Sequence, residues 1–225
     1  MIITAFVQLY ARGQHWEIIN MNTGILILYI TTAAGLILIK KIRPAYFILI
    51  VLLLLLTSLN ETWVTVWKHQ KNALLFYNIF SLVEMVLWSL LLVYNNEYRK
   101  KWVHFLIIIA LLIGSFIEIR LRPGFHSYTY RAFSIYGIIS CLVYYYQLTE
   151  VRREEVIMFN GRFWILTGLL LFQFVFAFYL TALDLPEFRA AVDALYAFRV
   201  IFNIINIAYY LLLLYGILCL SFYRR

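Results

Sequence analysis

Charged residues are scarce in this chain: Asp, Glu, Lys and Arg make up 13% of its 225 positions, about half the share typical of a soluble domain. Hydrophobic residues fill 64% and the mean hydropathy is +0.85. Runs near the ~20 residues needed to cross a hydrocarbon core, joined by short connections, consume the whole length and leave no room for a soluble domain. Proline occurs three times, at Pro44, Pro123 and Pro186, each between apolar runs. No span should therefore carry a proline kink, which argues against transporters that build their site from broken helices. Glycine is also sparse, so close helix crossings of the GxxxG kind are not expected to be a theme. The two cysteines, Cys141 and Cys219, lie in different apolar runs and read as small buried residues rather than a disulfide. No CxxC, HxxxH or Cys/His cluster is present, so neither a metal nor a cofactor is implied.

The net charge of +8 does not point to direct contact with nucleic acid, because the cations form no basic face or arm. They stand in short groups between apolar runs, as loop and headgroup anchors do. Taken in order, the runs predict an all-α integral membrane protein, a seven-helix transmembrane bundle with spans near 24–39, 45–60, 73–94, 102–119, 130–148, 163–183 and 196–222. Residues 1–22 start apolar but lack a basic leader and are too short to span, which argues against a cleaved signal peptide. They read as an interfacial segment anchored by Tyr10 and Trp16, and Met21 stands beside Met1 as a candidate start. The connections after spans one, three and five, together with the C-terminal tail, hold eleven Lys and Arg against eight on the opposite side. That bias places the N-terminus outside and the C-terminus in the cytoplasm of a multi-pass protein of the inner or plasma membrane.

Against this apolar background the polar residues inside spans stand out. Span three carries Asn78, Ser81 and Glu84 at intervals of three, on one helical face. A carboxylate that deep costs roughly 2.5–3.5 kcal/mol or more unless something partners it. Span seven has its own stripe, Arg199, Asn203, Asn206 and Tyr210, at intervals of four, three and four. At ~1.5 Å per residue, Asn78 and Asn203 share a depth, with Asn206 and Glu84 near the middle. Arg131 and Ser134 fall in the outer part of span five, Gln173 near the middle of span six, and Glu61, Glu118, Arg120, Asp184 and Asp193 at outer ends. Glu84 with Arg199 or Arg131 is the first candidate ion pair. The outer half of the bundle thus gathers the polar groups, while the inner half is almost plain hydrocarbon.

Spans three and seven can be laid on one another, LFYNIFSLVEMVLW on VIFNIINIAYYLLL, matching Asn78 to Asn203 and Ser81 to Asn206. Spans two and six then share FILIVLLLLL and WILTGLLLFQ. The three-plus-one-plus-three arrangement resembles the layout of small sugar-efflux carriers and of the cargo receptor that retrieves escaped ER proteins. Those families carry a Pro-Gln signature, this chain has no Pro-Gln pair, and no functional residue is carried over.

Two functional readings follow, beside a structural one in which the polar groups only fix helix order. The first is a non-catalytic membrane sensor or signalling component with an outward-facing polar cavity. Having no soluble output domain, it would need a protein partner or a second copy besides the lipid bilayer. The alternative is an ion channel, pore-forming protein or small-solute carrier using Glu84 as cation or proton site. An enzyme is not expected, since no nucleophile with a base, and no aspartate pair, sits at matching depth. A retinal protein is disfavoured because span seven holds no lysine, and His15, His69, His104 and His126 read as ordinary interfacial residues.

Overall fold

The computed structural model describes residues 17–39, 45–67, 73–95, 101–121, 127–151, 157–182 and 192–222. Apolar side chains over ~20 residues leave the backbone to satisfy its own hydrogen bonds, and in lipid the helix does so within one segment. The described residues accordingly form seven α-helices: α1 Glu17–Leu38, α2 Ala45–Trp67, α3 Ala73–Asn95, α4 Lys101–Leu121, α5 Ser127–Val151, α6 Gly161–Ala182 and α7 Val192–Phe222. One 3-10 turn, Ile157–Phe159, precedes α6. The helices follow the expected spans closely, differing most at the start of α1 and at the end of α2, by seven residues each. Glu17 to Asn22 therefore belong to α1, and Asn60 and Glu61 lie inside α2 instead of closing it. Five helices, α2, α3, α4, α6 and α7, are long and apolar enough to cross a membrane. With the composition, they mark a helical membrane protein.

Packing arranges six helices as a closed ring in the order α1, α2, α3, α5, α6, α7, with α7 returning to α1. Helix α4 stands outside, against α3 and α5. It turns Trp102, Phe105, Ile109, Ile113 and Phe116 outward. Two devices hold it. The Glu118 carboxylate accepts the N–H groups of Tyr128 and Thr129 at 3.0 and 2.9 Å and the Thr129 hydroxyl at 2.9 Å, capping the first turn of α5 from another helix. Farther along, His104 Nδ1 and the Tyr136 hydroxyl share a 2.8 Å hydrogen bond. The single helix that the three-plus-one-plus-three layout sets between two halves is thus the one excluded from the ring.

Contrary to the expectation from glycine scarcity, α6 and α7 cross on a glycine pair. A Cβ at Gly161 would stand 2.4 Å from the Gly216 carbonyl oxygen, and one at Gly216 would meet Ile165 Cγ1 at 2.7 Å and the Gly161 carbonyl oxygen at 2.8 Å. Sequence spacing within one helix does not reveal such a pair, because its members lie on different helices. The start of α6 at this crossing is set by Asn160, whose Oδ1 accepts the N–H groups of Arg162 and Phe163, an N-cap. Hydroxyls stitch the other seams by supplementing backbone carbonyls. Thr32 and Ser58 bond at 2.8 Å between α1 and α2, and Thr31 reaches the Tyr210 carbonyl at 3.4 Å between α1 and α7.

Candidate functional site

The interior of the ring is polar toward the end at which α3, α5 and α7 begin. On α3, Tyr77, Ser81, Trp88 and Leu91, at −7, −3, +4 and +7 from Glu84, are all buried. The outward strip of the same helix is Phe76, Ile79, Val83 and Tyr94. Glu84 belongs by register to the inward face, yet it is only half-buried. By register, its partial exposure lies beside the buried strip of α3 and away from the outward strip. Asn203 is half-buried on the flank of α7, between buried Asn206 and Tyr210 and the exposed strip of Ile204 and Leu211.

The carboxylate of Glu84 accepts a hydrogen bond from the Tyr130 hydroxyl at 3.3 Å. The expected pair with Arg131 does not form. Arg131 follows Tyr130 by one residue, about 100° around α5, so when Tyr130 points inward Arg131 points aside. Its guanidinium lies 4.4 Å over the Tyr128 ring and its Nε–H donates to the Ser127 carbonyl. The backbone of Arg199 is helical, but its side chain lies outside the described residues, as do Asp184 and the side chain of Asp193. Glu61, buried on α2, is within electrostatic range of Glu84, and Tyr209 and Tyr210 lie in the field of Glu84 as well. The Trp88 indole completes this group, its ring 6.3 Å from that of Tyr209.

Of the remaining expected residues, Asn78 and Ser81 are both buried, and the Ser81 hydroxyl donates to the Asn78 carbonyl at 2.9 Å. Gln173 accepts from Ser134 at 2.7 Å through Oε1, while its Nε2 has no partner among the described residues. Asn206 is likewise buried with Oδ1 unmatched, as are the Tyr77 hydroxyl and both amide atoms of Asn60. Buried polar atoms nearly always find partners, and an unmet one costs about 1–3 kcal/mol. Four such residues near one pair of carboxylates, on four different helices, indicate an interior suited to receiving polar groups from elsewhere.

The structure thus brings Asn78, Ser81, Glu84, Gln173, Asn203 and Asn206 to one interior and turns Arg131 away from Glu84. Sequence reasoning missed Trp88 and Tyr130, which do not stand out in a chain that is 19% aromatic. Trp88 had a usable signal, since it follows Glu84 by four residues on the same face. Toward the other end the interior closes over an apolar layer of Leu54, Trp88, Leu91, Cys141, Leu169 and Leu213, none more than 1% exposed. Within and beyond this layer, the half expected to be almost plain hydrocarbon buries Ser89, Ser140, Asn95 and Ser221, and Arg162 stacks 4.5 Å over the Tyr46 ring.

Among the described residues no group of three or more His, Cys, Asp and Glu is placed to hold a metal ion. Comparison with protein families, curated proteins and solved structures finds no match to this chain. What the fold and composition define is the class: an all-helical membrane protein with a polar interior.

Proposed function

We propose that the chain is a seven-span, non-catalytic receptor of the inner or plasma membrane, with its N-terminus outside and its C-terminus in the cytoplasm. It binds a small polar ligand in the outer half of the ring and passes the signal to a protein partner or a second copy. One observation carries the reading: Glu84 sits on the inward face of α3 among buried neighbours and is itself only half-buried. An intramembrane carboxylate facing an open interior marks a functional site more often than a packing residue.

Helix α1, whose apolar stretch Thr23–Leu38 is short, and α5, which is less apolar than the rest, are read as spans because of their neighbours. Helix α1 lies between α2 and α7, and α5 between α3 and α6. Both present apolar residues outward: Leu26, Ile30 and Ile37 on α1, Ile135, Ile139 and Leu142 on α5. Arg162 at the α6 start, and the clustered cations near residues 40 and 100, favour the cytoplasmic side for that end. The apolar layer from Leu54 to Leu213 favours a closed-bottom pocket over a pore through one bundle.

The test uses the full chain with Asn203→Cys, treated on intact cells with a membrane-impermeant maleimide. The reading expects rapid labelling from outside, with buried Cys141 and Cys219 remaining unmodified. No labelling at position 203 would overturn the outward cavity. In proteoliposomes the receptor reading expects binding without flux; a solute or proton flux abolished by Glu84→Gln would replace it with the carrier or channel reading.

A further inference from the structure

The groups around Glu84 are more specific than a generic polar pocket requires. Glu84 and Glu61 place two carboxyl groups within electrostatic reach of each other. Around Glu84 gather the phenols of Tyr130, Tyr209 and Tyr210 and the indole of Trp88, on three different helices. Asn206, one turn before Tyr209 and Tyr210 on α7, offers a buried amide oxygen that has no donor among the described residues. Among the described residues the interior thus holds unmet acceptors at Asn206 and Asn60, beside unmet donors at Asn60 and Gln173, and ring faces whose negative quadrupoles attract cations, tryptophan most strongly. A nearby cation on the chain, Arg131, is engaged with the Tyr128 ring and the Ser127 carbonyl.

We propose that the cavity beside Glu84 is a site for a small organic ammonium ion bearing at least one N–H. The ammonium pairs with the Glu84 carboxylate, donates a second hydrogen bond to Asn206 Oδ1, and rests its alkyl groups against Trp88 and the tyrosines. This deepens the receptor reading and rests on it, since the site needs the opening that Glu84 and Asn203 indicate. Two features separate the ammonium from other candidates. A divalent cation would want six or more oxygen ligands including several carboxylates, and the described residues bring only two together. An alkali ion is coordinated by amide oxygens as well, but it has no alkyl surface to match Trp88. An alkylammonium meets the charge, the unmet acceptor and the aromatic wall at once.

The experiment is thermal unfolding of the purified full chain in detergent, with n-butylammonium, sodium, n-butanol and butyrate compared at equal concentration and ionic strength. The expected result is a concentration-dependent rise in Tm with butylammonium alone. Glu84→Gln should weaken the apparent affinity by about tenfold or more, the loss of a charged hydrogen-bonded partner. Trp88→Leu keeps the charge and should weaken it as well, so the proposal stays testable if Glu84→Gln does not fold. Equal stabilisation by sodium would overturn the ammonium assignment in favour of a simple cation site. Equal stabilisation by butanol, or no rise with butylammonium, would also overturn it. In each of these cases labelling at Asn203→Cys and the proteoliposome flux assay report separately on the receptor reading.

Discussion

The crossing of α6 and α7 yields the sharpest stability prediction, because two glycines with the same sequence character should respond oppositely to alanine. At Gly137 on α5 the added methyl would meet Gln173 Cγ at 3.5 Å, an ordinary contact with a flexible side chain. There the substitution gains the ~0.8–1 kcal/mol by which alanine exceeds glycine in a helix interior. At Gly216 the same methyl would stand 2.8 Å from the Gly161 carbonyl oxygen, about 0.6 Å inside normal contact, and 2.7 Å from Ile165 Cγ1. The oxygen belongs to the helix backbone and cannot rotate away, so α6 and α7 must part along their seam. Overpacking of this kind costs about 1–3 kcal/mol, which at its upper half exceeds the propensity gain. Gly216→Ala should therefore lose up to ~2 kcal/mol net, and Gly161→Ala, closer still at 2.4 Å, should lose at least as much. In a chain of this length each kcal/mol moves Tm by roughly 2–4 °C. Thermal unfolding in one detergent should show Gly137→Ala unchanged or higher and both crossing variants lower by several degrees. A Gly216→Ala protein as stable as the parent would refute the close approach.

Other substitutions probe the remaining contacts. Glu118→Ala removes the carboxylate that caps α5 and should cost about 1–2 kcal/mol; Glu118→Gln, which keeps an acceptor, should recover part of that by the same unfolding assay. Asn160→Ala should cost about 1 kcal/mol at the α6 start, whereas Asn160→Ser or Asn160→Asp should be nearly silent. Tyr130→Phe removes the only described hydrogen bond to Glu84 and keeps the ring packed against Phe176. It should lower Tm modestly, by the ~1.5–3 kcal/mol of a bond to a charged group at most, without unfolding the chain at room temperature.

Helix positions were legible because burial in lipid imposes a length and a composition on each segment. The faces of α3 and α7 were legible too, since Asn78, Ser81 and Glu84, and Asn203, Asn206 and Tyr210, are polar exceptions on apolar helices. Partners across helices were not. Glu84 was matched to Arg131 by charge, but a single residue step sends Arg131 aside and leaves Tyr130 as the donor. Charge complementarity names candidates, and helical phase selects among them. The Gly161–Gly216 contact and the exclusion of α4 from the ring share this character: both depend on which helix neighbours which, and the apolar helices are too alike in pattern to encode that in any one segment.

Closure of the ring through α1 and α7 has a consequence for how the protein is made. If α1 spans as proposed, it enters the membrane long before α7 exists, so Thr31 waits for the Tyr210 carbonyl across some 180 residues of chain. Until α7 arrives, the polar lining of α3, Glu84 included, must be held by lipid-embedded water, by other helices or by assembly factors. On that reading insertion and folding are separated in time, and the interior that gathers around Glu84 comes into being only with α7.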